Sequence, residues 1–293
     1  MRRLRLALAM AMAGTLMGGN SAMARTGAGD LACAPPSAAG WAVAGRPFQH
    51  PPLTDEQLAA AAVPADFEVT AFETSIPVYF HVIEGALGAG NVSDTRLAAQ
   101  IDVLNSSFGP WGFTFFLADI DHTFNATWFD GLRNGSRVEK AVKTALRRGS
   151  ADDLNIYTAN GGDFLLGYSS FPWDYAKNPI DDGVVMLHST LPGGTAAPYN
   201  EGDQTVQMVG HWLGLLNTFE GGCAKKGGDF VDDTPAEKSP TFDCQEGRDT
   251  CRLPGLDSVR NFMNWGEDGC MDSFTPGQAA RMDAQWTIYR DGN

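Results

Sequence analysis

From Gly221 to Leu256 the chain is dense in Gly, Asp, Pro and Cys and carries no apolar periodicity. So long a stretch without regular structure, inside a compact domain, needs staples such as disulfides or bound calcium. Cys223, Cys244 and Cys251 lie within it, and Cys270 follows closely. In an oxidising compartment four such cysteines form two disulfides, and the residues alone leave all three pairings open. Cys33 lies far upstream and is left over, as a lone thiol or for an intermolecular bridge.

The start of the chain points to that compartment. Met1-Arg2-Arg3-Leu4-Arg5 is basic, Leu6 to Met17 is almost wholly apolar, and Ala22-Met23-Ala24 is a small-x-small cleavage site. Residues 1–24 therefore read as a secretory signal peptide, too short in its apolar run to span a bilayer. No later segment is long and apolar enough to do so. Four sequons, beginning at Asn91, Asn105, Asn125 and Asn134, agree with export. Without residues 1–24 the chain keeps 18 basic and 35 acidic side chains, a net charge of −17. Such acidity keeps an exported protein soluble and repels nucleic acid and anionic membranes, so neither is an expected partner. A monomer is expected.

Residues 25–67 are rich in Ala, Gly and Pro without a sustained pattern and read as a tail or short pro-segment. Order is expected from about residue 68 to 293. Ile76–Ile83 and Phe113–Ile120 are predicted strands, with His122–Phe129 a partner to the second. Leu97, Ile101 and Leu104 mark a helix over Ser93–Ser107, and Val138–Arg147 is a short one. Leu154–Tyr157 and Gly183–Leu187 are short strands bounded by Asp and Gly. The layout is mixed α/β.

A helix is predicted from Gln204 to Leu216, with Val206, Val209, Leu213 and Leu216 apolar. It can be set against the extended zinc-protease pattern H-E-x-x-H-x-x-G-x-x-H. There, histidines at i and i+4 share a helical face, and a glutamate takes the proton of metal-bound water. A glycine turns the chain so that a third histidine closes the tripod. Here His211 and Gly214 fit, but Gln207 and Asn217 stand at the other two ligand positions and Met208 at the position of the base.

The surroundings extend the match. They comprise Asn217-Thr-Phe-Glu-Gly-Gly-Cys223, Asp229-Phe-Val-Asp-Asp-Thr-Pro-Ala236, Asn261-Phe-Met263-Asn-Trp265 and Phe274-Thr-Pro-Gly-Gln278-Ala-Ala-Arg-Met282. Upstream, Phe80-His-Val-Ile83, Leu165-Leu-Gly-Tyr168, Asp182-Gly-Val-Val185 and Leu191-Pro-Gly-Gly194 join them. From about residue 70 to 290 the chain resembles the pappalysin (cytophagalysin-type) family of metzincin zinc metalloproteases, particularly its small secreted fungal members.

The resemblance implies a metzincin-like domain: a twisted, mostly parallel sheet with the active-site helix to about residue 217, then a loop-rich, disulfide-stapled lower subdomain over 218–293. It implies Cys223–Cys251 and Cys244–Cys270 bridges and places Met263 at the Met-turn under the metal. It puts Trp265 where a tyrosine usually polarises the substrate, and Asn264 where an aspartate is usual. It marks Asp229, Asp233 and Thr234 as hard oxygen ligands of a structural calcium loop. Some members carry a pro-segment cysteine that blocks the zinc; the resemblance implies Cys33 as its relic, a role left empty without a competent zinc site.

Zinc belongs to the family but is not expected here, because neutral amides are poor ligands and Met208 cannot accept a proton. His81 and His188 fall on predicted strands and read as structural, with an approach of His188 to the cleft left open. Two functions stand: an inactive pseudoprotease binding a peptide or protein ligand in the former substrate cleft, or a weak, unconventional secreted zinc metalloendopeptidase.

Overall fold

The computed structural model describes residues 53–63, 73–161, 166–224 and 228–293. The signal peptide, Cys33, His50 and Leu165 lie outside the described residues.

Among the described residues five strands form one sheet in the order β2-β1-β3-β5-β4. They are β1 (Thr74–Glu84), β2 (Phe113–Phe124), β3 (Leu154–Ala159), β4 (Gly167–Ser169) and β5 (Val184–Leu187). All neighbours run parallel except β4, which pairs antiparallel with β5 at one edge. The sheet is covered on both faces, as a parallel sheet requires. On one face Val78, Phe80 and Val82 of β1 pack with Leu97, Leu104 and Phe108 of α2 (Asp94–Phe108). Val206, Val209 and Trp212 of α5 (Asp203–Trp212) complete that core. On the other face Ile83, Tyr157 and Val185 meet Phe129 of α3 (Ala126–Gly131) and Val142 of α4 (Arg137–Leu146). The mixed α/β architecture with a mostly parallel sheet is thus as expected.

Three elements differ from the sequence reading. The span His122–Phe129 is not a separate strand. β2 runs on to Phe124 because β1 offers it partners as far as Glu84, and Asn125 then caps α3 by accepting from the Trp128 N–H at 3.1 Å. Within residues 25–67, α1 (Asp55–Ala61) carries a capping box between Thr54 and Gln57. Its last residue, Ala61, is buried with Phe171, Trp173 and Leu216. A C-terminal helix, α6 (Pro276–Tyr289), was not expected; a Thr275–Gln278 capping box and Pro276 start it.

Between α5 and α6 the described residues are irregular apart from an isolated bridge, Asn261 to Ser273. The bridges Cys223–Cys251 and Cys244–Cys270 staple it, in the pairing that the resemblance implied.

Candidate functional site

Helix α5 is buried from Gln204 to Trp212. Asp268 fixes its start by accepting from the N–H groups of Glu201 and Gly202 and from the Gln204 amide, at 2.7–3.0 Å. Its end is a Schellman motif: the Gly214 N–H donates to the His211 carbonyl and the Leu215 N–H to that of Gly210, both at 2.9 Å. Gly214 has φ +93°, and a Cβ there would fall 2.6 Å from the Gln285 side chain. The helix therefore stops at Trp212 rather than Leu216, and Gly214 sends the chain toward Asn217.

This turn brings positions 207 and 217 together. Gln207 Nε2 donates to Asn217 Oδ1 at 3.4 Å and to the Asn264 carbonyl at 3.1 Å. Gln207 and Asn217 are 1% and 0% exposed, and Asn217 Nδ2 has no hydrogen-bond partner among the described residues. His211, one turn beyond Gln207 on the same face, directs Nδ1 to the Leu215 carbonyl at 2.8 Å, so this nitrogen carries the proton. The Phe171 ring stands edge-on to the imidazole at 5.5 Å. Met263 is fully buried under the helix, where a Cβ on Gly210 would come within 2.5 Å of its sulfur.

Met208 is buried within the main core. Trp265 lies between Phe219 (4.9 Å, edge-on) and Phe242 (6.0 Å). Asn264 is held by Glu237 and the Thr241 N–H.

Zinc does not fit this set. Of the three ligand positions only one is an imidazole, and the two amides hydrogen-bond to each other. Among the described residues, no three His, Cys, Asp or Glu side chains converge on one point. His188 does not supply a ligand: it packs on Phe129 at 5.6 Å, with its pKa lowered by burial and then by Arg96. His81 is structural, stacked on Tyr157 and bonded to Asp121 and Asn155.

The expected calcium set is also divided. Asp229 accepts from the Thr234 hydroxyl at 2.7 Å, but Asp233 turns away to cap α6, accepting from the Thr275 hydroxyl and the Gly277 N–H. Burial outweighs the hydrogen bonds from Thr234 and the Val231 N–H and pushes the Asp229 carboxyl up to about 6.

Sequence reasoning overlooked the basic residues behind the motif. Arg281 Nε donates to the Gly214 carbonyl and Arg290 Nε to that of Trp212, both at 2.9 Å. Arg281 lies in the quoted Phe274–Met282 run, but nothing local marks it as a partner of Gly214.

Residues 196–286 match the family model Peptidase_M43, described as Pregnancy-associated plasma protein-A. The chain is 42% identical to an extracellular metalloprotease of Podospora anserina over 229 residues, 76% of this chain and 77% of that one. It is 40% identical to one of Neurospora crassa over 250 residues, 83% and 86% of the two chains. The solved structure of Tannerella forsythia mature mirolysin in complex with a cleaved peptide superposes with a TM-score of 0.63 at 27% identity, covering 75% of this chain and 97% of that one.

Proposed function

Since the chain belongs to the pappalysin family of metallopeptidases, we propose that it is an exported member without peptidase activity, whose fold serves to bind peptides or proteins in the former substrate cleft. The hydrogen bond from Gln207 to Asn217 carries this reading. It joins, as neutral amides, the two side chains that would otherwise complete a zinc tripod with His211. Family chemistry requires a metal that acidifies a bound water and a base that takes its proton. A single imidazole falls far short of the ~10–16 kcal/mol of binding free energy typical of structural zinc sites. Met208, a thioether in the core, has no proton affinity to offer.

Export is supported by the extracellular relatives and by the basic-apolar start of the chain. No helix among the described residues is long and apolar enough to cross a membrane. A peptide ligand is supported by the scaffold's likeness to mirolysin, which was solved with a cleaved peptide.

Elemental analysis of the purified protein at neutral pH, run beside a casein and gelatin cleavage assay, tests the reading. Zinc well below one per chain and no cleavage above background are expected, with an extracellular relative carrying the intact motif as the positive control. One tightly held zinc per chain, or cleavage that a chelator abolishes, would establish the alternative of a weak metalloendopeptidase.

A further inference from the structure

A cavity of about 450 Å³ opens beside the sheet edge. It lies between the start of α1, the loop following β4, and α4. Its chemistry is set by which of its charged groups are already matched. Lys143 is bound to Glu139 at 2.8 Å and donates to the Asp181 carbonyl at 2.7 Å. Asp182 is paired with Arg290, and Lys177, which also lines the cavity, is bound to Glu56 at 2.7 Å. Asp181 is hydrogen-bonded by Asn178.

Asp174 remains. It is half-buried, and among the described residues its carboxylate accepts two long contacts from a single donor, Gln57 Nε2, at 3.4 and 3.5 Å. Burial raises its carboxyl above the ordinary value, against the pull of Gln57 and Lys177. A carboxylate half withdrawn from water and given only long contacts in return is stabilised by a cation with several donors. The neighbouring walls suit the stem of such a group. Leu53, Phe171 and Tyr175 line the cavity with apolar surface, on which the methylenes of a long basic side chain can lie. Tyr175 already carries a guanidinium, that of Arg147, 5.4 Å from its ring centroid.

We propose that this cavity binds a guanidinium or alkylammonium group, with Asp174 as its counter-ion. It would take the side chain of an arginine or lysine in a peptide, or the same group on a free amine. Gln207, His211 and Asn217 do not line the cavity, although Phe171 forms part of its wall and also stands edge-on to the His211 imidazole at 5.5 Å. Zinc content and peptidase assays bear on the reading above, and arginine binding bears on this one.

Calorimetric titration of the full exported chain tests it, with acetyl-Gly-Arg-Gly-amide, the same peptide with Gln for Arg, and agmatine. Saturable one-to-one binding of the arginine peptide is expected, with none of the glutamine peptide. Asp174→Asn should weaken it about tenfold or more, the scale of a lost charge-assisted contact. Agmatine binding as tightly as the peptide would identify a free cation as sufficient. Weaker agmatine binding would show that the peptide backbone contributes; either result retains the site. If Asp174→Asn does not fold, the unaltered protein still decides the matter, because an ionic contact must weaken as salt is raised. No saturation to about 10 mM, equal binding of the glutamine peptide, unchanged affinity in folded Asp174→Asn, or no salt dependence would overturn the proposal.

Discussion

Arg290 and Asp182 form a fully buried ion pair at 3.1 Å, 0% and 1% exposed, directly behind α5. The Arg290 guanidinium lies over the Trp212 ring, its Cζ 3.6 Å from the centroid, and donates to the carbonyls of Trp212 and Ala151. Asp182 also accepts from the Trp212 indole at 3.1 Å and the Ser170 hydroxyl at 2.8 Å. With Arg281 on Gly214, two arginines from the end of the chain hold the exit of the motif helix. The backbone path from His211 to Asn217 therefore depends on residues far away in sequence.

Arg290→Ala should be strongly destabilising. It strands Asp182 inside the protein without its counter-charge, for which about 3–5 kcal/mol is typical. Burial alone would raise the Asp182 carboxyl, but Arg290, with the hydrogen bonds from Ser170 and Trp212, brings it below the ordinary value. The stability it contributes is present above the unfolded value of 3.8 and is lost as pH falls through the folded one. Urea unfolding at neutral pH should show the deficit, and acid should narrow it.

Asp203 works in the opposite sense. It opens α5, where the helix dipole favours negative charge. Yet burial, then Asp268 and Glu201, push it up to about 7. An acid whose folded pKa exceeds its unfolded value weakens the fold as pH rises through that interval. Asp203→Asn should raise the melting temperature at about pH 8 and leave it unchanged near pH 4. A variant no more stable than the parent at the higher pH would show that the carboxylate is solvated.

Much of this architecture was legible in the sequence because local patterns fix it. The apolar run in β1, the spacing of Leu97, Ile101 and Leu104, and Gly214 as the place where α5 ends each depend on near neighbours. The candidate site was legible as positions 207, 208, 211 and 217 in a register, since a helix followed by a left-handed glycine sets their order. What the residues could not disclose is long-range. The Gln207–Asn217 hydrogen bond needs the turn at Gly214 held in place, and Arg281 and Arg290 hold it from α6. α6 itself was missed although Thr275-Pro-Gly-Gln278 is a start signal, because its apolar stripe is weak and it buries polar Arg281, Asp283 and Gln285. Asp233 read as a calcium ligand by motif, whereas its carboxylate caps that helix.

Of the four sequons, the one at Asn105 should stay bare. Its side chain is engaged on both ends by one residue of the sheet, donating to the Phe115 carbonyl at 2.9 Å and accepting from the Phe115 N–H at 2.7 Å. A glycan on Nδ2 would displace this clamp between α2 and β2. Asn91 and Asn134 are exposed and open to modification. Glycopeptide mapping of protein from a eukaryotic secretion host should find sugar at Asn91 and Asn134 and none at Asn105. Asn105→Ala should cost about 1–3 kcal/mol by leaving buried backbone groups unpaired.

Restoring the zinc set tests whether only the liganding chemistry was lost. Position 207 is already within hydrogen-bonding reach of 217, and His211 follows it on the same helical face over Met263. The combined change Gln207→His, Met208→Glu and Asn217→His should therefore bind zinc stoichiometrically, read by elemental analysis after dialysis. Each single replacement should do little, because ligands and base act as a unit and their effects do not add. Slow cleavage of casein is expected only in the triple variant, and Trp265→Tyr should increase it by returning a phenol to the position now packed between Phe219 and Phe242. The His211 Nδ1 bond to the Leu215 carbonyl leaves Nε2 as the nitrogen to coordinate, so Leu215 must keep its place when the metal enters. A triple variant that folds but takes no zinc would mean that the buried amide pair reflects a cleft closed by its surroundings, with Phe171 over His211 the first contact to remove.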